Sequence, residues 1–445
     1  MTPGRSDEQA QFAASLHGML ADAAVPAAVR SWAAGDRAPG LAIWRALAGL
    51  GVTALAVPER HGGAGAAFAN VVVACEELGR HAVPGPVAES VAAVPVLLAA
   101  LSEEQLPGEQ LPGEQLPGEQ LPGEQLSENE LSEIVVSENV VSGDAASEAA
   151  LPKEARSGAA RSGADLADAA RPGRGTPGPW LAGLAAGELI ATAAIPPWLP
   201  WAVDAETAGL VLLAEGDAVR LGAPGPGQRS VDPGRSLSPV TGGQVLARGP
   251  AVAGAVARAL NAGALACAAQ LLGAGRALLE ASVRHAGQRA QFGRPIGAFQ
   301  AVKHHLADVA IGLEFAGPLL DAAAAALDGN GCHAARDVSA AKVACTDAAR
   351  RAARAALQVH GAIGYTEEHD LHLWLLKVRA LAGAWGSQAE HRARVMAAIA
   401  VPEGAREAAR PEAASPEAAR PEAARPGTGG WQGAGQRAAG EPAWS

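Results

Sequence analysis

The pentad EQLPG occurs four times in succession from Glu104 to Gly123. A proline and a glycine every five residues forbid a regular helix, and the period is too short for a helical solenoid repeat. Degenerate Ser/Glu-rich and then Arg/Gly/Ala-rich sequence follows, up to about Pro179. Residues 102–179 therefore read as a low-complexity disordered insertion, and residues 401–445, with EAARP-like units from Arg406 to Pro426, read as a disordered tail. The packed parts of the chain have to come from what remains.

What remains is mainly helical in pattern. Residues 1–101 read as an N-terminal helical domain, in which Trp44, Leu47 and Leu50 follow helical spacing before Pro58 and the Gly62-Gly63 pair end the apolar run. Residues 180–249 read as the end of that domain and a reduced middle β-domain, because "GLVLLAEGDAVRLGAPG" alternates short apolar runs with turn residues. Residues 250–400 return to long helical patterns. Alanine and glycine dominate, aromatics are only 3% and Tyr365 is the only tyrosine. Helix packing through small residues suits that composition better than a β-sandwich.

Several function classes are disfavoured. A net charge of −11 without a long basic tract gives no footprint for nucleic acid or an anionic membrane surface. Cys75, Cys267, Cys332 and Cys345 are scattered and form no C-x-x-C, against a disulfide framework or zinc site and in keeping with a reducing cytoplasm. The N-terminus lacks the apolar core of a signal peptide, and no unbroken apolar run reaches the roughly 18 residues of a membrane span, so a soluble, cytoplasmic protein is expected. His304, His305, His360, His369, His372 and His391 show no metal-ligand spacing, and no metal is expected. Ser339-Ala-Ala-Lys342 has the S-x-x-K spacing of penicillin-recognising enzymes without their other motifs, and is expected on a helix surface.

"QRAQFGRPIGAFQ" (residues 288–300) and "LQVHGAIGYTEEHD" (357–370), with "GVTALAVPERHGGAG" near the start, resemble the acyl-CoA dehydrogenase family over roughly residues 35–101 and 180–400. The resemblance implies a mostly α fold with a small β-domain: an N-terminal helical domain, a middle β-domain and a C-terminal four-helix bundle. It implies FAD as cofactor, an acyl-CoA substrate and an electron-transfer flavoprotein or similar acceptor. The assembly would be a homotetramer or a heterotetramer with a related subunit. By the same resemblance Arg289 and Gln291 contact the FAD pyrophosphate or ribose of a neighbouring subunit. A guanidinium suits that task because it donates paired hydrogen bonds to phosphate oxygens. Phe292 packs nearby, Gln300 is a further contact, and Gln358, Gly361 and Gly364 form a second cofactor segment. Ser387 matches the small hydroxyl of the family's E-G-[ST] motif.

The same comparison exposes two departures. The general base of the family, a glutamate that takes the α proton of the thioester, falls either at Trp385 or at Gly263 here, and neither is a carboxylate. Glu280 and Glu314 match no family base and read as solvated helix-face residues; Glu367 and Glu368 read as structural parts of a turn. The flavin-contacting T-E-P-x-x-G-S-D segment is reduced to Thr192 followed by "AAIPPWLPW", with Trp198 and Trp201 expected to pack under the β-domain. Three readings follow: a flavin-dependent dehydrogenase of fatty or steroid side-chain CoA thioesters, a non-catalytic subunit completing a partner's FAD site, or a flavin monooxygenase on the same scaffold.

Overall fold

The computed structural model describes residues 5–103 and 177–400. The tail, and all but the edges of the insertion, lie outside the described residues. Those edges are structured: a helix continues to Glu103, and another begins at Gly178 with Pro179 in its first turn. Proline is tolerated there because the first N–H groups of a helix have no intrahelical acceptor.

The N-terminal domain contains α1 (Asp7–Asp22), α2 (Val25–Ala33), α3 (Ala38–Gly49), α4 (Phe68–Arg80), α5 (Val94–Glu103) and α6 (Gly178–Ala185), with a π-helical turn at Glu89–Ala93 leading into α5. Ser6 opens α1 with a capping box, its side chain accepting from the Gln9 N–H while Gln9 reaches back. In α3, Trp44 and Leu47 are buried as their spacing requires, whereas Leu50 caps the helix and is exposed.

The β-domain is small. Its main sheet has the order β1-β3-β4-β7, formed by β1 (Ala191–Ala194), β3 (Leu210–Glu215), β4 (Ala218–Pro224) and β7 (Val240–Arg248). The pair β1/β3 is parallel and the others antiparallel, with register shifts where β4 meets β7. β2 (Ala202–Val203), β6 (Ser236–Ser238) and β5 (Gln228–Arg229) make a second sheet.

The C-terminal bundle consists of α7 (Pro250–Gln288), α8 (Gln300–Asp328), α9 (Ala334–His360) and α10 (Leu371–Gly383), followed by α11 (Gln388–Ala400). A hairpin of β8 (Ala290–Gln291) and β9 (Arg294–Pro295) joins α7 to α8. From Asn261 to Gly275, α7 is buried on every side, packed against α4, α8, α9 and α10. Small residues make this possible. A Cβ at Gly79 would collide with the Gln270 backbone, and one at Gly273 with the Glu76 backbone, so α4 and α7 touch main chain to main chain.

The expectation that nothing could span a membrane does not hold as a statement of length and hydropathy. α7 and α8 are both long and apolar enough, and α1 with α2, bent by 61°, pass the same test together. The sequence reading looked for unbroken apolar runs, whereas Ala, Gly and Leu keep a whole window apolar despite scattered polar residues. In α7, 56% of that window is buried against protein.

Candidate functional site

The two positions where the family resemblance places the base, 263 and 385, meet in space. α10 ends at Gly383, and the chain then turns through Trp385 (φ 58°) and Gly386 (φ 95°) into α11. That turn drives the Trp385 indole inward until it is 2% exposed. A Cβ on Gly263 would overlap the six-membered ring of the indole. The indole thus takes the volume that any side chain at 263 would need. Its Nε1 donates to Glu89 Oε1 at 3.2 Å.

Glu89 is the residue that sequence reasoning missed. It sits on the π-helical turn, fully inside the protein, and burial raises its pKa, opposed by the Arg235 charge and by hydrogen bonds from its own backbone and Trp385. The signal was available in principle: a lone glutamate within "GPVAESVAAVPVLLAAL" must be buried with a partner. Glu280 and Glu314 stay where they were expected, on partly exposed faces beside Arg80 and Arg276.

Buried polar groups hold the Trp385 turn. The Ser339/Lys342 pair, expected on a helix surface, lies in the core. α9 is polar by sequence but wedged against α7 and α10, which is why its apparent outer face is covered. Lys342 Nζ donates to Leu381 O at 3.1 Å, and burial lowers its pKa. Ser339 Oγ is 3.1 Å from His391 Nδ1, and His391 Nε2 lies 2.9 Å from Trp385 O. Burial brings His391 down to about 4, so its ring is neutral at pH 7 and Nε2–H donates to that carbonyl. Ser387 accepts from the Glu390 N–H as the cap of α11, while its own N–H goes to the Glu390 carboxylate.

Trp198 departs from its expected place under the β-domain. It packs on the bundle instead, 5.7 Å from the His391 ring, with the Arg394 guanidinium 5.0 Å from its centroid. A Cβ at Gly386 would come 2.7 Å from the Trp198 ring, so the glycine is what admits it. Trp201 is 37% exposed at the rim of a cavity of about 420 Å³, lined also by Arg229, Arg235 and Ala384. Thr192 is fully buried in β1, and its Oγ1 has no hydrogen-bond partner among the described residues.

The other group of expected site residues lies at one exposed end of the bundle. Arg289, Gln291 and Phe292 are on or beside the β8–β9 hairpin, with Phe292 90% exposed at φ 53°. Its ring meets Phe299 edge-on, and Arg294 lies 4.1 Å over the Phe299 ring. Gln300 opens α8 and is exposed. Gln358, also exposed, sits in the last turn of α9, which ends at Gly361. The two strings are brought together by His285 near the end of α7, whose ring stacks on His360 at 4.3 Å. Gly361 faces open space with φ 63°, which favours glycine. Gly364 is buried for an internal reason as well, because a Cβ there would press on Leu357, His360 and Leu371.

Two family profiles match the sequence: the acyl-CoA dehydrogenase N-terminal domain over residues 6–107 and the acyl-CoA dehydrogenase C-terminal domain over residues 253–400. The chain belongs to the acyl-CoA dehydrogenase family, whose members are flavin-dependent dehydrogenases of CoA thioesters. It is 27% identical over 389 residues to acyl-CoA dehydrogenase IpdE2 of Mycobacterium tuberculosis, covering 86% of this chain and 93% of IpdE2. Its fold is similar to the ChsE4-ChsE5 complex from Mycobacterium tuberculosis (TM-score 0.62, 20% identity, 90% of this chain and 100% of that one). It is also similar to a glutaryl-CoA dehydrogenase from Mycobacterium smegmatis in complex with FADH2 (TM-score 0.61, 15% identity, 89% and 95%).

The residues present fit one half of FAD and not the other. An exposed guanidinium, three exposed amides and an open glycine turn suit a diphosphate and its sugar. Where the resemblance puts the flavin ring, Thr192 is sealed in a strand and the acidic and Gly-Ser-Asp elements are missing.

Proposed function

We propose that this chain is the non-catalytic member of a heteromeric acyl-CoA dehydrogenase, completing the nucleotide side of an FAD whose flavin ring is held by a related subunit. The observation that carries this reading is the indole of Trp385 packed over Gly263, which fills the volume of either family base with a group that cannot take a proton. Arg289, Gln291, Gln358 and the Gly361 turn remain exposed at the opposite requirement, ready to reach a cofactor outside this chain. The similarity to a structure solved as the ChsE4-ChsE5 complex is in keeping with it. When bound, the flavin would accept hydride from the β carbon of the thioester while the catalytic subunit supplies the base.

A second reading, catalysis by this chain itself, rests on Glu89 as the base. Its carboxylate is 2% exposed and bonded to the indole that would have to move aside. Visible spectra decide between the two. The isolated chain should carry no stoichiometric flavin, while the complex with a related subunit bearing the glutamate should hold FAD and bleach anaerobically with an acyl-CoA. Arg289→Ala should lower flavin retention in that complex and leave the melting temperature nearly unchanged. Flavin on the isolated chain that bleaches with substrate would establish the second reading, and Glu89→Gln should then abolish the bleaching.

A further inference from the structure

Three metal-ligating side chains converge where α1 lies against α4, and none of them belongs to the site described above. His17 comes from α1, Glu77 from the last turn of α4, and His81 caps that helix. One ligand atom from each lies within 4.8 Å of the other two. His17 Nδ1 is 2.9 Å from His81 Nε2 and 3.3 Å from Glu77 Oε2. Ligands about 2.0–2.2 Å from a tetrahedral ion stand about 3.3 Å apart, close to the two separations from His17, so one ion reaches all three once Glu77 and His81 turn toward it.

Protons alone satisfy this arrangement poorly. His17 Nδ1 faces an imidazole nitrogen and a carboxylate oxygen together. Protonated, it has one N–H for two acceptors; unprotonated, it turns a lone pair toward a carboxylate. A cation accepts a lone pair from each of the three. Glu77 Oε1 is 3.6 Å from Arg80, which is itself bonded to Glu280 at 2.7 Å, and this leaves Oε2 to the rings. The Glu77 side chain is only 4% exposed, whereas His17 and His81 line a cavity of about 390 Å³ through which an ion can enter.

We propose that His17 Nδ1, Glu77 Oε2 and His81 Nε2 bind a divalent transition-metal ion of the zinc class, its fourth position open to this cavity. Two imidazoles with one carboxylate select Zn²⁺, Co²⁺ or Ni²⁺ over Mg²⁺ and Ca²⁺, which take oxygen ligands. The bound ion would tie α1 to α4, far in sequence from every cofactor residue.

The test is calorimetric titration of Zn²⁺ into the metal-stripped full-length protein carrying Cys332→Ser, which removes the exposed thiol. One ion should bind per chain and raise the melting temperature. His17→Ala and His81→Ala should each weaken binding at least about tenfold and abolish the thermal gain. His81→Gln, which keeps the bulk and a hydrogen-bonding end, should do the same with an unchanged far-ultraviolet spectrum, so that lost binding is not mistaken for lost fold. Co²⁺ should add the visible absorption of a four-coordinate nitrogen and oxygen site. An unaltered protein that takes up no ion, or uptake that survives all three histidine variants, overturns the proposal.

Discussion

At the scale of single residues, the Gly263–Trp385 contact is a mutual exclusion that can be measured. Gly263→Ala should destabilise the protein by about 1–3 kcal/mol, because the added methyl overlaps a well-packed ring. The penalty should shrink in a Trp385→Leu background, where the collision partner is gone. Urea unfolding of the four proteins of the cycle gives the coupling, and strict additivity would mean that the two residues do not contend for one volume. Glu89 offers a second test, through pH. Burial, its largest influence, raises its folded pKa, so ionisation opposes folding. The cost is absent below the unfolded value, roughly 4, and grows as pH rises toward the folded one. Glutamine keeps the acceptor for the Trp385 Nε1–H. The stability gain of Glu89→Gln should therefore be small near pH 4 and larger at pH 7; an equal gain at both would show that the carboxyl is not desolvated in solution. The limits of sequence reading are plain at this scale. Arg289, Gln291 and Gln358 stand in local strings with unusual spacing, and the structure places them exposed at one end of the bundle. Glu89 and the meeting of Gly263 with Trp385 could not be read from local strings, since each depends on how distant segments pack. His17 and Glu77 are 60 residues apart and belong to no motif.

At the scale of elements, α10 is the strut that couples the three parts of the fold. Lys377 lies on its buried side, donating to Val83 O at 3.1 Å and standing 3.0 Å from Asp232 Oδ2 in the β-domain. The two side chains are 3% and 1% exposed. Removing one member of such a pair strands the other charge, so Lys377→Met should cost about 3–5 kcal/mol, and Lys377→Met with Asp232→Asn should recover much of it. Chemical denaturation reads both; equal losses in the single and double variants would place the cost in packing and not in charge. The Trp385 turn follows directly from this helix, through Lys342 and Cys267 on Leu381 O. Element boundaries were partly legible. The long helical patterns were readable, but the Pro58 and Gly62-Gly63 punctuation lies past the end of α3, which stops at Gly49, and α9 looked solvent-facing at Ser339 and Lys342 because its hydrophobic contrast is set by alanines, which say little about which side is covered.

At the scale of the whole molecule, α8 shows what the single chain leaves unfinished. Leu306, Val309, Leu313, Ala316, Leu320 and Ala323 form its buried seam at helical spacing. On another face Ile311, Phe315 and Leu319 follow one another four residues apart with 54%, 75% and 44% exposure. Under the proposed heteromeric assembly, an exposed apolar stripe of this kind is where the related subunit would dock. Phe315→Glu should therefore weaken that association roughly tenfold or more, as loss of an aromatic anchor does, while an exposed position leaves stability of the isolated chain within about 0.5 kcal/mol. Sedimentation of the mixed subunits and melting of the single chain check the two halves separately. Undiminished association would move the interface off α8. Association lost only together with vesicle binding, in a helix apolar enough for a membrane by length and hydropathy, would give the stripe to lipid and leave the FAD half-site at the β8–β9 end to be tested through Arg289 alone.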